Sequence, residues 1–157
     1  MWQSLEQLRE SCALESSRKR IRALRVMRRQ LAEGRPRAYL RLAKRLVQDR
    51  SNTCRWQALA VVGEYIPYAA EDVWKVVVAA SRNSDDDMRD ALAVLLLEHL
   101  LEFDFDKYFP RVRELIVDGD STLLDILGRC YRFVPKRKWR HVERLLKSFR
   151  KSRDAYQ

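Results

Sequence analysis

The chain has 157 residues, of which 46% are apolar and 34% charged, and its 32 basic against 22 acidic side chains give a formal net charge of +10. That apolar content is enough for one continuous core, while four glycines and four prolines are too few for a fold of many short strands and turns, so an all-α domain is expected. Cys12, Cys54 and Cys130 are odd in number, far apart and never spaced as Cys-x-x-Cys, which excludes a disulfide framework and a zinc site and suits a reducing, cytoplasmic setting.

In chain order, the first predicted element is a capping helix from Ser4 to Ser16, within a unit spanning 2–16, with Trp2, Leu5, Leu8 and Cys12 on one side at helical spacing. A second helix runs from Ser17 to Ala32 and ends near Gly34. Arg35-Pro36 then opens a third, Arg37 to Gln48, whose buried set is Tyr39, Leu40, Leu42, Ala43, Leu46 and Val47. Ser51-Asn52-Thr53 supply capping oxygens for a fourth helix that breaks at Ile66-Pro67, and a fifth follows from Ala70 to Ser81. Ser84-Asp85-Asp86-Asp87 place negative charge at the positive end of a helix over Met88 to Leu101, whose run Ala91 to Leu97 reads as buried. Its partner spans Lys107 to Val117. A last pair covers Ser121 to Phe133 and Lys136 to Lys151, with Pro135 between them.

These helices carry an internal repeat. Arg20-Ile21-Arg22-Ala23-Leu24-Arg25-Val26 returns 35 positions later as Arg55-Trp56-Gln57-Ala58-Leu59-Ala60-Val61, and with a small slip as Arg89-Asp90-Ala91-Leu92-Ala93-Val94. Tyr39, Trp74 and Phe109 keep the same interval, and Trp139 opens a fourth apolar run after a shorter one. Periods of this size mark stacked helical hairpins, none of which can bury its apolar face alone. The expected organisation is one domain over 1–157, with the cap at 2–16, repeats at 17–51, 52–84, 85–119 and 120–152, and a short basic tail at 153–157. Aromatics at matching repeat positions belong in the core, and stacking of Trp56, Tyr65, Tyr68, Trp74 or Trp139 on bases is the less favoured alternative.

The placement of Arg89-Asp90-Ala91-Leu92 early in a first helix, Phe109-Pro110-Arg111-Val112 in a second, and Asp118-Gly119-Asp120 at the turn resembles HEAT repeats over Ser17 to Lys151. The resemblance implies a right-handed α-solenoid with the second helices lining its concave face, and by itself implies no activity.

Charge is unevenly distributed. Residues 1–55 hold 15 basic and 5 acidic side chains, residues 56–128 hold 6 and 15, and residues 129–157 hold 11 and 2. Within the basic ends, Arg18, Arg22, Arg25 and Arg29 fall on one side of one helix. Arg37, Arg41, Lys44 and Arg45 repeat the geometry on the next, as do Lys136, Arg140, Arg144, Lys147 and Lys151 on the last. Such stripes suit the phosphate backbone of DNA or RNA, where fixed cations displace condensed counterions. A protein-interaction scaffold is the alternative, with an acidic partner on the basic ends or a basic one on Asp85 to Asp90 and Glu102 to Asp106.

Catalytic templates are weak. The chain is similar in basic character and helical stacking to the alkylpurine DNA glycosylases built from HEAT-like repeats, but looks several helices shorter. That family implies a carboxylate and aromatics in a basic cleft, for which Glu64, Asp72 or Glu98 with Trp56 or Trp74 are conceivable. None matches a family motif, so no catalytic residue is assigned. His99 and His141 lack ligand spacing, Asp85-Asp86-Asp87 and Asp104-Phe105-Asp106 do not continue into a calcium loop, and no cofactor or metal is expected. The start Met1-Trp2-Gln3 lacks a secretory pattern and no stretch reaches membrane-spanning length, so integral membrane association is not expected. Basic ends and an acidic middle permit pairing between copies, but the sequence leaves the oligomeric state open.

Overall fold

The computed structural model describes residues 3–34, 36–132 and 134–154, with side chains as far as Phe149, and every regular element among them is helical. The chain forms α1 (Leu5–Ala13), α2 (Ser17–Gln30), α3 (Arg37–Leu46), α4 (Asn52–Gly63) and α5 (Ile66–Ser81). Helix α6 runs over Asp86–Leu92, passes through a π-helical turn at Ala93–Leu97 and continues as Glu98–Phe103. It is followed by α7 (Phe105–Val117), α8 (Ser121–Arg129) and α9 (Lys136–Asp154). Trp2 of the expected cap, Phe133 at the expected end of α8, residues 155–157 of the tail and the Lys151 side chain lie outside the described residues.

Four of the helix starts recur at a nearly constant interval. Ser16, Ser51, Asp85 and Asp120 are the N-caps of α2, α4, α6 and α8, at intervals of 35, 34 and 35 positions. The side chains of Ser51, Asp85 and Asp120 accept from the backbone N–H groups of Cys54, Met88 and Leu123, satisfying donors that a helix start leaves without partners. The buried positions below the first two caps also coincide. Ala23, Leu24, Met27 and Leu31 in the first hairpin and Ala58, Leu59, Val62 and Ile66 in the second are buried at the same offsets.

Several boundaries differ from the sequence reading: α1 ends at Ala13 rather than Ser16, α2 at Gln30 rather than Ala32, α3 at Leu46 rather than Gln48, α6 starts at Asp86 rather than Met88, α8 ends at Arg129 ahead of the expected Phe133, and two further helices start early. Helix α5 begins at Ile66 rather than Ala70, but Ala69 leaves helical geometry (φ −150°, ψ 43°), so a single turn around Pro67 precedes the regular helix. Helix α7 begins at Phe105 rather than Lys107, because Asp104 caps it by accepting from Lys107 N–H and Phe105 stacks on Phe109 with ring centroids 4.7 Å apart. Pro110 therefore lies inside the helix.

Helices α2, α4, α6 and α8 pack side by side in sequence order, α1 covers α2 and α3, and α9 rests on α8. Helix α6 is the centre of the molecule. It touches α4, α5, α7 and α8, which is why its apolar residues are buried on nearly all sides, from Met88 through Leu92, Leu96 and Leu97 to Leu101. Helices α5 and α8, from the second and fourth hairpins, also approach each other, a contact that a strictly linear stack of neighbours does not make. Tyr39, Trp74 and Phe109 are buried at matching positions, Trp139 packs partly buried against the core, and Tyr65 is buried with its hydroxyl donating to the Pro36 carbonyl at 2.8 Å.

Candidate binding surfaces

The cations sort into two populations. The first fastens hairpins together. Arg20, Arg55 and Arg89 each stand four residues after an N-cap, and each reaches a carboxylate in or beside the following first helix: Asp49 just ahead of the α4 cap, Asp85 the α6 cap itself, and Asp125 midway along α8. Arg20 donates from Nη2 to Asp49 Oδ1 at 3.1 Å, with its Nε 2.7 Å from Oδ2, and also ties the α1–α2 turn by donating to the Leu14 and Glu15 carbonyls. Arg55 reaches Asp85 at 2.8 Å and Arg89 reaches Asp125 at 3.1 Å. Asp120 is the fourth cap, but Leu124 occupies the position four residues on, so the series of arginines ends there. Arg129 joins α8 to α6 instead, contacting Asp90 at 2.8 Å and Asp86 and Asp125 at 2.9 Å.

The Arg20–Asp49 pair is well covered, with side-chain exposures of 14% and 7%. Desolvation pushes the Asp49 carboxyl up, but hydrogen bonds from Arg20 and the Ser51 N–H outweigh it and leave the group below its ordinary value of 3.8. Between α5 and α7 lies a second type of fastening. Lys107 and Arg111 each bring a nitrogen to 2.9 Å from Glu71, Tyr108 Oη donates to it at 3.1 Å, and the Arg111 guanidinium covers the Trp74 ring 5.0 Å from its centroid. Hydrogen bonds from Lys107 and then Arg111 hold Glu71 down to about 2.

These fastenings consume the acidic middle of the chain. Asp85 and Asp87 face Arg55, Asp86 and Asp90 face Arg129, and Asp106 is 2.9 Å from Lys138. The acidic runs considered as a seat for a basic partner are thus largely committed within the molecule. The partner carboxylates of the repeating arginines escape a reading of the sequence alone, although the recurrence of the arginines at one repeat position was a visible signal.

The second population is the predicted stripes. Arg18, Arg22, Arg25, Arg29, Arg37, Arg41, Lys44, Arg45, Lys136, Arg140, Arg144 and Lys147 are all exposed. Among the described residues, no carboxylate lies within 4.0 Å of any of them except Asp72, at 4.0 Å from Lys44. Lys44 thereby leaves its stripe and turns toward α5. Helices α2 and α3 carry two stripes on either side of one turn, whereas α9 carries the third where it packs on α8. On α9, Arg137, Arg140, His141, Arg144 and Lys147, with Glu143 as the one acidic member, line an open groove of about 480 Å³, and Arg113 of α7 joins His141 and Arg144 in an adjoining one of about 270 Å³.

The conceivable catalytic groups are not brought together. Glu64 is 3.3 Å from Arg28, Asp72 faces Lys44, and Glu98 accepts from the Tyr131 N–H at 2.6 Å. Trp56 donates from Nε1 to Asp87 at 3.1 Å, and Trp74 lies beneath Arg111. Glu64 and His99 share a shallow groove of about 290 Å³ with Arg28, Gly63 and Leu95. Burial raises the thiols of Cys12 and Cys54 to about 11, against the lowering effect of Arg20, which makes them poor nucleophiles at neutral pH. Among the described residues no group of His, Cys, Asp or Glu is placed to hold a metal ion, and no helix is long and apolar enough to cross a membrane. No family model, curated protein or solved structure matches the chain.

Proposed function

We propose that this chain is a non-catalytic, HEAT-like α-solenoid module that binds the phosphate backbone of a nucleic acid through the exposed cations of α2, α3 and α9. The observation that carries the reading is the division of the positive charge. Arginines at the repeat positions are held by carboxylates, while the stripe cations are exposed and, Lys44 apart, have no acidic partner among the described residues. Like charges set one helical turn apart repel, so an unpaired stripe raises the energy of the free protein and is relieved when a polyanion neutralises it. A backbone-directed contact of this kind releases counterions and carries little sequence preference. The 34–35-residue spacing of N-caps and the side-by-side order of α2, α4, α6 and α8 support the repeat reading, with the α5–α8 contact as a departure from an ideal stack.

The test is fluorescence-anisotropy titration of labelled single-stranded DNA, double-stranded DNA and RNA across a salt series, with Arg22→Glu/Arg25→Glu/Arg41→Glu as the comparison. Binding by the wild type that weakens steeply with salt and is lost in the triple variant supports the track. Equal binding by both proteins, or none by the wild type near physiological salt, removes it and leaves an acidic protein as the partner to be sought.

A further inference from the structure

The intervals between successive second helices are not closed in the same way. Between α5 and α7, Glu71, Lys107, Arg111 and Trp74 form the clasp described above. One repeat earlier, 35 positions back, Pro36 stands for Glu71, Asp72 for Lys107 and Val76 for Arg111. None of the charges that make the clasp is reproduced with a partner of opposite sign; among the described residues the interval is linked by the Tyr65 hydroxyl on the Pro36 carbonyl where the two helices start, and further along by a 4.0 Å approach of Lys44 to Asp72. The space left open is a groove of about 580 Å³ between α3 and α5. Val47 at the C-cap of α3 and Val76, Ala79 and Ala80 of α5 line its apolar part, and Lys44 and Lys75 also line it. Ala79 is exposed, although it lies one turn from buried Val76 on a helix whose other aliphatic side chains face the core.

Lys75 adds the second observation. It lies in the acid-rich middle of the chain, where Arg89, Lys107 and Arg111 are tied to carboxylates; like Arg82 and Arg113 it has no acidic group within 4.0 Å among the described residues, and of these three it is the one that lines the groove.

We infer that the α3–α5 groove is a docking site for a short acidic amphipathic segment of another protein, which seats apolar side chains against Val47, Val76 and Ala79 and places carboxylates against Lys44 and Lys75. Burying aliphatic anchors supplies the non-directional part of the affinity, and the two ammonium groups choose an acidic over a basic segment. A nucleic-acid strand fits this surface less well, because no aromatic ring lines the groove to stack a base. Of the cations proposed to contact phosphates only Lys44, on the α3 stripe, also lines this groove; those of α2 and α9 lie outside it.

The experiment is selection of a random displayed-peptide library on the full chain, followed by titration of the enriched peptides against the wild type, Lys75→Glu and Ala79→Glu. Both replaced side chains are exposed, so the variants are expected to keep the wild-type melting temperature. The expected result is enrichment of peptides with Asp or Glu flanking Leu, Met or Phe. Their affinity should fall about tenfold or more in each variant while staying within about twofold in Arg22→Glu/Arg25→Glu. Amide chemical shifts of the labelled protein should move at Val47, Val76 and Ala80. A readout independent of the variants is the peptide itself, since exchanging its acidic residues for lysine should abolish binding. The inference is overturned if no peptide enriches, if the enriched set lacks the acidic and apolar pattern, or if Ala79→Glu binds as the wild type does. It is equally overturned if single-stranded DNA shifts the same amides and displaces the peptide.

Discussion

Arg20 and Arg22 are two positions apart on one helix and carry the same charge, yet the fold uses them differently. Arg20 is 14% exposed against a 7% exposed Asp49, while Arg22 is exposed with no acidic partner among the described residues. Removing one member of a covered pair strands the other, so Arg20→Met or Asp49→Ala should lower stability by about 3 kcal/mol in urea unfolding. Arg22→Glu should change it by less than about 0.5 kcal/mol. Similar losses from all three would show that the Arg20 pair is no better covered in solution than the stripe. Glu71 gives a pH signature. Its carboxyl is lowered from an ordinary 4.5 to about 2 by Lys107 and Arg111, so the clasp's contribution is complete above the ordinary value and is lost as pH falls through the folded one. Wild type and Glu71→Gln should therefore differ in melting temperature at pH 6, converge as the pH approaches 2, and give a Glu71 side-chain carbon that titrates near 2 by NMR.

At the scale of the helix, the starts of α2, α3, α4, α8 and α9 were legible, whereas those of α5, α6 and α7 fell two to four residues ahead of the expected positions. Ser51 announces α4 because a capping oxygen is a local device, completed within three residues by Cys54 N–H, and Asp120, read from the sequence only as a turn residue, caps α8 in the same way through Leu123 N–H. The π-helical turn over Ala93–Leu97 was not legible, since Ala91 to Leu97 is apolar on every side and offers no periodicity from which a change of phase can be read. Its neighbour shows what the turn is packed against. A Cβ added to Gly63 would stand 2.8 Å from the Leu95 carbonyl oxygen, a backbone atom that cannot swing aside. Gly63→Ala should force α4 away from α6 and lower stability by about 2 kcal/mol, despite alanine's better helix propensity. A melting temperature equal to or above the wild type's would show that the two backbones are not in close contact at that point.

For the whole molecule, the charge division sets the expected salt dependence. If the stripes of α2, α3 and α9 neutralise about six phosphates, log affinity for double-stranded DNA should fall with log salt at a slope of about −5. Replacing Arg140 and Arg144 by glutamate should reduce that slope by about 2 without changing sequence preference. The same titration in the Arg20→Met background, adjusted for any unfolded fraction, should leave the slope unaltered, because that guanidinium is already committed to Asp49. The helical class, the starts of α2, α3, α4, α8 and α9, the 35-residue spacing and the exposure of the stripes were determined by the sequence alone, since caps, apolar spacing and charge periodicity act over a few residues of one chain segment. Tertiary structure alone decided which cations are spent. Arg55 meets Asp85 and Arg129 meets Asp86 across 30 and 43 positions, and charge complementarity over such distances has no local signature. It likewise decided that the α5–α7 interval is clasped while α3–α5 stays open, because a groove depends on how two helices diverge and no single segment encodes that divergence.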